Sequence, residues 1–473
     1  MSNTIAFEGA ALIDGKSDTP NLDATVLVEG DRIAAVGRRG TVDIPHDAEQ
    51  VDLTGKWLLP GLINGNVHLL DSWMMLGVGG IEYIARHEFR FEEVIIEAAQ
   101  VALREGVTTV FDTHNAVGPV LAARDRIASG AEVGARVFAA GNIVGMGGPF
   151  SADFFLAARP VITSSFANRI NQQWEAGVGH QISTLPVREI RAIVRDYLDR
   201  GVDMMKVAVS DHLLSTVGVD RTYLPFSETA LRVMFEEARS KEVPILTHTL
   251  STHALDIAVD LEADVLVHAS VTLFQPIENH TIDKILDQGI SCGIQTVTDA
   301  YQSYLESRGE VMAGYGGGQH AKNEQTLIAA GANVFLGTDA GCTPHDVLND
   351  LGDAGRQHRP WTLGTDHFDW TVGIMQKGMT SMQAIHAATS NVAKAYGKFD
   401  EIGSIEVGKF ADLLVLDADP VADIDNLRKI NSIYKAGRLV DRSALPHKRF
   451  ATADLNQVHH ATSTDLGHSP FLE

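Results

Sequence analysis

Six residues draw attention because each puts a chemically capable side chain in, or just beyond, a short apolar run: Asn66, His68, Lys206, His248, His268 and Asp339. Asn66 and His68 are spaced i, i+2, so an extended segment presents both on one face. His248 ends Ile245-Leu246-Thr247, His268 follows Val265-Leu266-Val267, and Asp339 follows Phe335-Leu336-Gly337-Thr338. A lone histidine at a strand end is ordinarily a hydrogen-bonded structural residue. Asn66, His68, His248, His268 and Asp339 together, from four different runs, compose a candidate metal site. Imidazole suits a borderline divalent ion, zinc first and Co, Mn or Fe as alternatives, while carboxylate and amide oxygens complete the shell. Lys206, inside Met204-Met205-Lys206-Val207, is a separate question. A buried, unpaired ammonium is costly and its pKa falls towards neutrality. Two readings stay open: a lysine reaching out to water, or an amine that takes up CO₂ and ligates metal as a carboxylated lysine.

For these residues to meet, their runs must be strands of one sheet whose C-terminal ends converge. From about residue 57 the texture supports this. Strand-like runs at Trp57–Ile63, Val107–Phe111, Arg136–Ala140, Met204–Val209, Val243–Leu246, Val265–Val267, Ile290–Ile294 and Val334–Leu336 alternate with amphipathic helical patterns. Helices are expected at Glu92–Arg104, Arg188–Leu198, Glu228–Lys241, Thr252–Leu261, Ile282–Gln288 and Glu324–Ala330. Eight such repeats fit an α/β fold of the closed (β/α)₈, TIM-like kind, in which catalytic groups project from the C-terminal strand ends. An open doubly wound sheet would carry a Gly-rich turn after its first strand; Ile63-Asn64-Gly65-Asn66 is not one. Residues 59–398 are therefore assigned to the barrel. Residues 1–58 and 399–445, both strand-like, are expected to form one small composite β-sandwich domain. Residues 446–473 form a polar, His-rich tail, and residues 142–186, too long for an ordinary connection, are expected to wall or cover the barrel mouth.

Composition limits the partners. The chain has 473 residues, with 38 Lys+Arg against 61 Asp+Glu, a net charge of −23. That excess disfavours nucleic acid and anionic membranes, which need a positive face. Two cysteines, Cys292 and Cys342, cannot build a disulfide framework. The N-terminus lacks a signal-peptide pattern and no run of eighteen apolar residues occurs, so a cytoplasmic protein is expected.

Pro60-Gly61-Leu62-Ile63 with His68 shortly after, the strand-4 Lys206, the strand-5 His248, the strand-6 His268 and Gly337-Thr338-Asp339 together resemble the metal-dependent amidohydrolase superfamily. So does Ile402-Gly403-Ser404-Ile405-Glu406-Val407-Gly408-Lys409. The resemblance spans residues 4–440. Most members carry His-x-His after the first strand; Asn66-Val67-His68 is instead similar to the phenylurea hydrolase and molinate hydrolase group. Asn66 offers a weaker oxygen ligand or only a hydrogen bond, so the resemblance implies a mononuclear site. It further implies hydrolysis of the urea C–N bond of N-aryl-N′,N′-dialkylureas, with thiocarbamate hydrolysis as the alternative, and a homo-oligomer.

In that chemistry Asp339 accepts a proton from water and returns it to the leaving amine. His320, in the Gly316-Gly317-Gly318 region beyond strand 7, is a second catalytic candidate. A small neutral aromatic substrate would be lined by Trp73, Met74, His114, Phe150, Phe154 and His345, several of them apolar residues in loops near the expected mouth. Three rivals remain. A deaminase would need Glu three residues after the strand-5 histidine, where His248 is followed by Thr249-Leu250-Ser251. A binuclear amidase or prolidase-like hydrolase would hold two tight metals, and a non-catalytic scaffold would hold none.

Overall fold

The computed structural model describes residues 4–70, 84–85, 87–151, 153, 162–211, 224–307, 318–341 and 363–445. The chain starts as an antiparallel meander of β1 (Thr4–Leu12), β2 (Asn21–Glu29) and β3 (Arg32–Arg38). The β2–β3 turn is tight because Gly30 accepts a φ of 63°. Two short strands, β4 (Glu49–Asp52) and β5 (Trp57–Pro60), then run parallel to β1.

At Gly61 the chain leaves this sheet. The expected single strand Trp57–Ile63 is in fact two, and β6 (Leu62–His68) is the first strand of a different sheet. The cause is tertiary contact with distant segments. The Gly61 N–H bonds the Asp412 carbonyl at 2.8 Å, and a Cβ at Gly61 would collide with the Thr108 side chain. Asn66 and His68 consequently lie inside β6 rather than beyond it.

Eight parallel segments follow around a barrel. After β6 come β7 (Val107–Asp112), β8 (Arg136–Ala139), β9 (Met205–Ala208), β10 (Ile245–His248), β11 (Val265–Leu266), β12 (Ser291–Ile294) and β13 (Asn333–Leu336), with the short β14 (Ala340–Gly341) continuing the last. Their ladders form two arcs, β14-β6-β7-β8 and β9-β10-β11-β12-β13. Val144 joins the arcs on one side: its N–H bonds the Lys206 carbonyl at 2.8 Å, and its carbonyl accepts from Ala208 N–H at 3.0 Å. On the other side β14 pairs with β6, and Asp339 N–H bonds the Asn66 carbonyl at 2.8 Å. The strands are buried because helices cover them outside, among them Phe91–Arg104, Val187–Leu198, Glu228–Ser240, Thr252–Asp260, Asn279–Gln288 and Gln319–Ala330. Each overlaps a helix expected from the apolar period.

Aromatic packing sets the strand carrying Asn66. Tyr396 stacks on Phe111 at 3.8 Å, and its hydroxyl donates to the Gly65 carbonyl at 2.5 Å. A Cβ on Gly65 would meet the Phe335 ring at 2.5 Å, so only glycine lets β6 approach that ring. In the long insertion the segment 142–151 is buried. The helix Ser164–Glu175 holds it, with Gly148 N–H donating to Glu175 at 3.1 Å and Phe150 N–H to Asn171 at 2.8 Å.

The chain then returns to its first sheet with β15 (Leu413–Leu416), β16 (Ile430–Lys435) and β17 (Arg438–Leu439). β15 pairs antiparallel with β5, so both ends of the chain share one sheet in the order β17-β16-β15-β5-β1-β2-β3, with β4 on β1. It is continuous and bends over itself. Phe7 on β1 and Tyr434 on β16 are three strand steps apart, roughly 14 Å in a flat sheet. Their ring centroids are nevertheless 4.7 Å apart. Phe7, Val26, Ile33, Leu58, Leu413 and Val415 fill the resulting core. No helix among the described residues is long and apolar enough to cross a membrane.

Candidate active site

Asp339 occupies the turn between β13 and β14, where its φ of 58° places it in the left-handed region. Aspartate tolerates that region better than most residues, but the strain still marks the position. Its carboxylate is gripped on both oxygens. Oδ1 accepts from Asn66 Nδ2 at 3.0 Å and stands 2.8 Å from His68 Nε2, while Oδ2 accepts from Gln295 Nε2. The i, i+2 spacing on β6 puts both side chains on one face, where they meet the Asp339 carboxylate.

Behind Asn66 lies a second line of bonds. Thr113, one residue past β7, donates from Oγ1 to Asn66 Oδ1 at 2.5 Å and accepts from Lys206 Nζ at 3.0 Å. Lys206 does not reach out to solvent; it is 1% exposed and points into the barrel. Asp112, the last residue of β7, accepts from Leu69 N–H at 2.9 Å and Asn115 Nδ2 at 2.7 Å.

His248 and His268 pack edge to face, ring centroids 5.0 Å apart, at the ends of adjacent strands. His114 packs in the same manner on His68 at 5.7 Å, joining strand 2 to strand 1. All four rings are buried. His320 is buried in the first turn of Gln319–Ala330, where it stacks on Phe274 at 5.6 Å. Asn323, on the same helix, ties that turn to the loop after His268 by donating to Ser270 O at 3.1 Å and Thr272 Oγ1 at 2.8 Å. Phe150 packs on Phe166 of the insertion's own helix at 5.5 Å. Trp73, Met74, Phe154 and His345 lie outside the described residues.

Thr113 and Gln295 were not singled out from the sequence. Both directly follow barrel strands, so the rule that found Asp339 applies to them. A neutral hydroxyl and a neutral amide carry less chemical signal in a sequence than a histidine.

Burial and charge compete at the centre. Burial pushes the Asp339 carboxyl up, but the His268 and His68 charges and that of Lys206 outweigh it and hold the group well below the usual carboxylate range. Burial lowers the Lys206 ammonium to about 8, against the pull of Asp339 and Asp112. Burial likewise raises Asp112 to about 6, only partly offset by the His68 charge and its hydrogen bonds. Among the described residues no three His, Cys, Asp or Glu side chains stand together as a ready-made cage. The donor types nonetheless fit a borderline divalent ion: imidazoles, a carboxylate held ionised, and a lysine outside that ligand count. His68 Nδ1, buried and without a hydrogen-bond partner among the described residues, is consistent with this fit.

With this geometry in hand, the likeness to known proteins is specific. A solved structure of phenylurea hydrolase B is 56% identical, superposes with a TM-score of 0.91, and the match covers 94% of this chain and 98% of that one. One of molinate hydrolase is 49% identical with the same TM-score, covering 94% and 96%. The 5-methylthioadenosine/S-adenosylhomocysteine deaminase of Halobacterium salinarum is 26% identical over 89% of this chain and 85% of its own length. The amidohydrolase family model matches residues 57–440, from the last strand of the first sheet through the whole barrel and back. The chain is therefore an enzyme of the amidohydrolase family, a family of hydrolases that is in general metal-dependent.

Proposed function

We propose that the chain hydrolyses the urea C–N bond of N-aryl-N′,N′-dialkylureas to release an aryl amine, with Asp339 as general base and then general acid. The observation that carries this reading is the clamp on Asp339, Asn66 and His68 on one oxygen and Gln295 on the other. It occurs in a chain 56% identical to phenylurea hydrolase B.

His68, His248, His268, Asp339 and Lys206 would hold a single divalent ion, zinc by preference, with Asn66 at its edge and Lys206 free to serve as amine or carbamate. Such an ion supplies acidity to water and polarises a carbonyl. The protein's residues do the rest. Among the described residues, Oδ1 of Asp339 has two partners, whereas Oδ2 has one and keeps a lone pair for the water proton. An aryl nitrogen leaves poorly until protonated, so Asp339 then returns that proton to it. In this reading His114, against His68, and His320, stacked on Phe274, orient a neutral aromatic substrate. Trp73, Met74, Phe150, Phe154 and His345 complete its lining in this reading. A cytoplasmic homo-oligomer, with the chain ends 1–58 and 399–445 as one domain beside the barrel 59–398, is part of the same proposal. The likeness to molinate hydrolase supports thiocarbamates as the second substrate class.

Incubating zinc-loaded and chelated protein with an N-aryl-N′,N′-dimethylurea and, in parallel, a thiocarbamate tests the assignment. Metal-dependent arylamine release supports the urea reading. Turnover of the thiocarbamate alone replaces it with the second class.

A further inference from the structure

Asn66 stands where most amidohydrolases carry a histidine, and its two amide atoms are already committed. Nδ2 donates to Asp339 Oδ1 at 3.0 Å and Oδ1 accepts from Thr113 Oγ1 at 2.5 Å. The sense of this chain follows from its members. A carboxylate offers only acceptors, so the amide must turn its NH₂ towards Asp339. With Lys206 as the free amine, it donates to Thr113 Oγ1 at 3.0 Å, so the single hydroxyl proton of Thr113 is left for Asn66. Asn66 and Thr113 are both fully buried, out of reach of bulk solvent. Thr113 therefore keeps the Asn66 oxygen facing β7, away from the carboxylate.

We propose that Thr113 and Asn66 are positioning residues for Asp339: Thr113 fixes the amide, the amide fixes the carboxylate, and Asn66 is not a metal ligand. The inference rests on Asp339 being the proton acceptor of the proposed reaction. On this account the Asn-x-His sequence is an exchange of one ligand for one hydrogen-bond donor.

Three variants test it: Thr113→Val, Thr113→Ser and Asn66→Asp. Each is loaded with cobalt(II), and metal per chain, the visible cobalt spectrum, kcat and KM for arylamine release, and thermal unfolding are recorded. Thr113→Val keeps the shape and removes the hydroxyl. It is expected to lower kcat about tenfold or more, the scale of one lost bond to a buried polar group. KM, metal content and the cobalt spectrum should stay as in the parent. Thr113→Ser restores the hydroxyl and should restore kcat. Asn66→Asp sets an acceptor against Asp339, so kcat should collapse with no tighter metal binding.

A changed cobalt spectrum in Thr113→Val, or tighter metal and a changed spectrum in Asn66→Asp, would make Asn66 a ligand and overturn the proposal. Equal impairment of Val and Ser at position 113, or full kcat in Thr113→Val, overturns it as well. Should the parent protein hydrolyse neither ureas nor thiocarbamates, the substrate reading fails on its own. The cobalt spectra then still decide the role of Asn66: unchanged spectra support it, and changed ones refute it.

Discussion

His68 and Asp339 face each other at 2.8 Å across the seam where the first and last barrel strands meet. The same seam is closed by the Asp339 N–H bond to the Asn66 carbonyl at 2.8 Å. One turn thus completes the barrel and sets the Asp339 carboxylate. A left-handed φ at Asp339 is what lets its backbone point back to β6 while its side chain stays between Asn66, His68 and Gln295.

Removing metal should abolish hydrolysis without unfolding the barrel. The strands are held by parallel ladders and a continuous apolar core that owes nothing to an ion. An ion at a hundred times its Kd adds about 2.7 kcal/mol to stability by mass action. Calorimetry of chelated and reloaded protein should therefore show a lower but cooperative transition, and activity returning with zinc.

Gln295→Leu removes the only donor on Asp339 Oδ2 among the described residues. A hydrogen bond to a charged group is worth about 1.5–3 kcal/mol, so kcat should fall about tenfold to a hundredfold. KM should move less, because the amide grips the carboxylate proposed as the base. Steady-state kinetics on the urea separate the two parameters.

Gly65→Ala should destabilise the protein by about 1–3 kcal/mol, since the added methyl must displace the Phe335 ring from a packed core. Because Gly65 precedes Asn66, activity should drop further than stability explains. Urea unfolding and kinetics on the same preparation check both effects.

Stability should also depend on pH through Glu324. It is fully buried, accepts from Thr296 Oγ1 at 3.0 Å, and burial raises its carboxyl from an ordinary 4.5 to about 8 despite the Lys377 charge. A folded pKa above the unfolded one means the contribution is complete below about 4.5 and is lost progressively as pH rises to about 8. Glu324→Gln, neutral throughout, should flatten that slope. Unfolding midpoints at pH 5 and pH 8 for both proteins measure it.

Much of this was legible in the sequence, for stated reasons. Apolar runs alternating with amphipathic helices specify a barrel, and a polar residue ending such a run has nowhere to point but the mouth. That logic singles out His68, His248, His268 and Asp339 as candidates and leaves two readings open for Lys206. It did not show that Trp57–Ile63 breaks at Gly61, because the break depends on Thr108, a residue distant in the chain. Nor did it show the bonds from Thr113 and Gln295, whose neutral side chains matter only through what they face. The partners of Asn66 were equally hidden, since one amide can ligate or donate and only the fold decides which.

The most direct test of the account is kcat/KM for arylamine release from an N-aryl-N′,N′-dimethylurea, in the parent protein and in Asp339→Asn, compared at equal metal per chain. Loss of a general base and acid predicts a fall of about a thousandfold. Release by Asp339→Asn at a rate close to the parent's would contradict the assignment of Asp339 and the mechanism built on it.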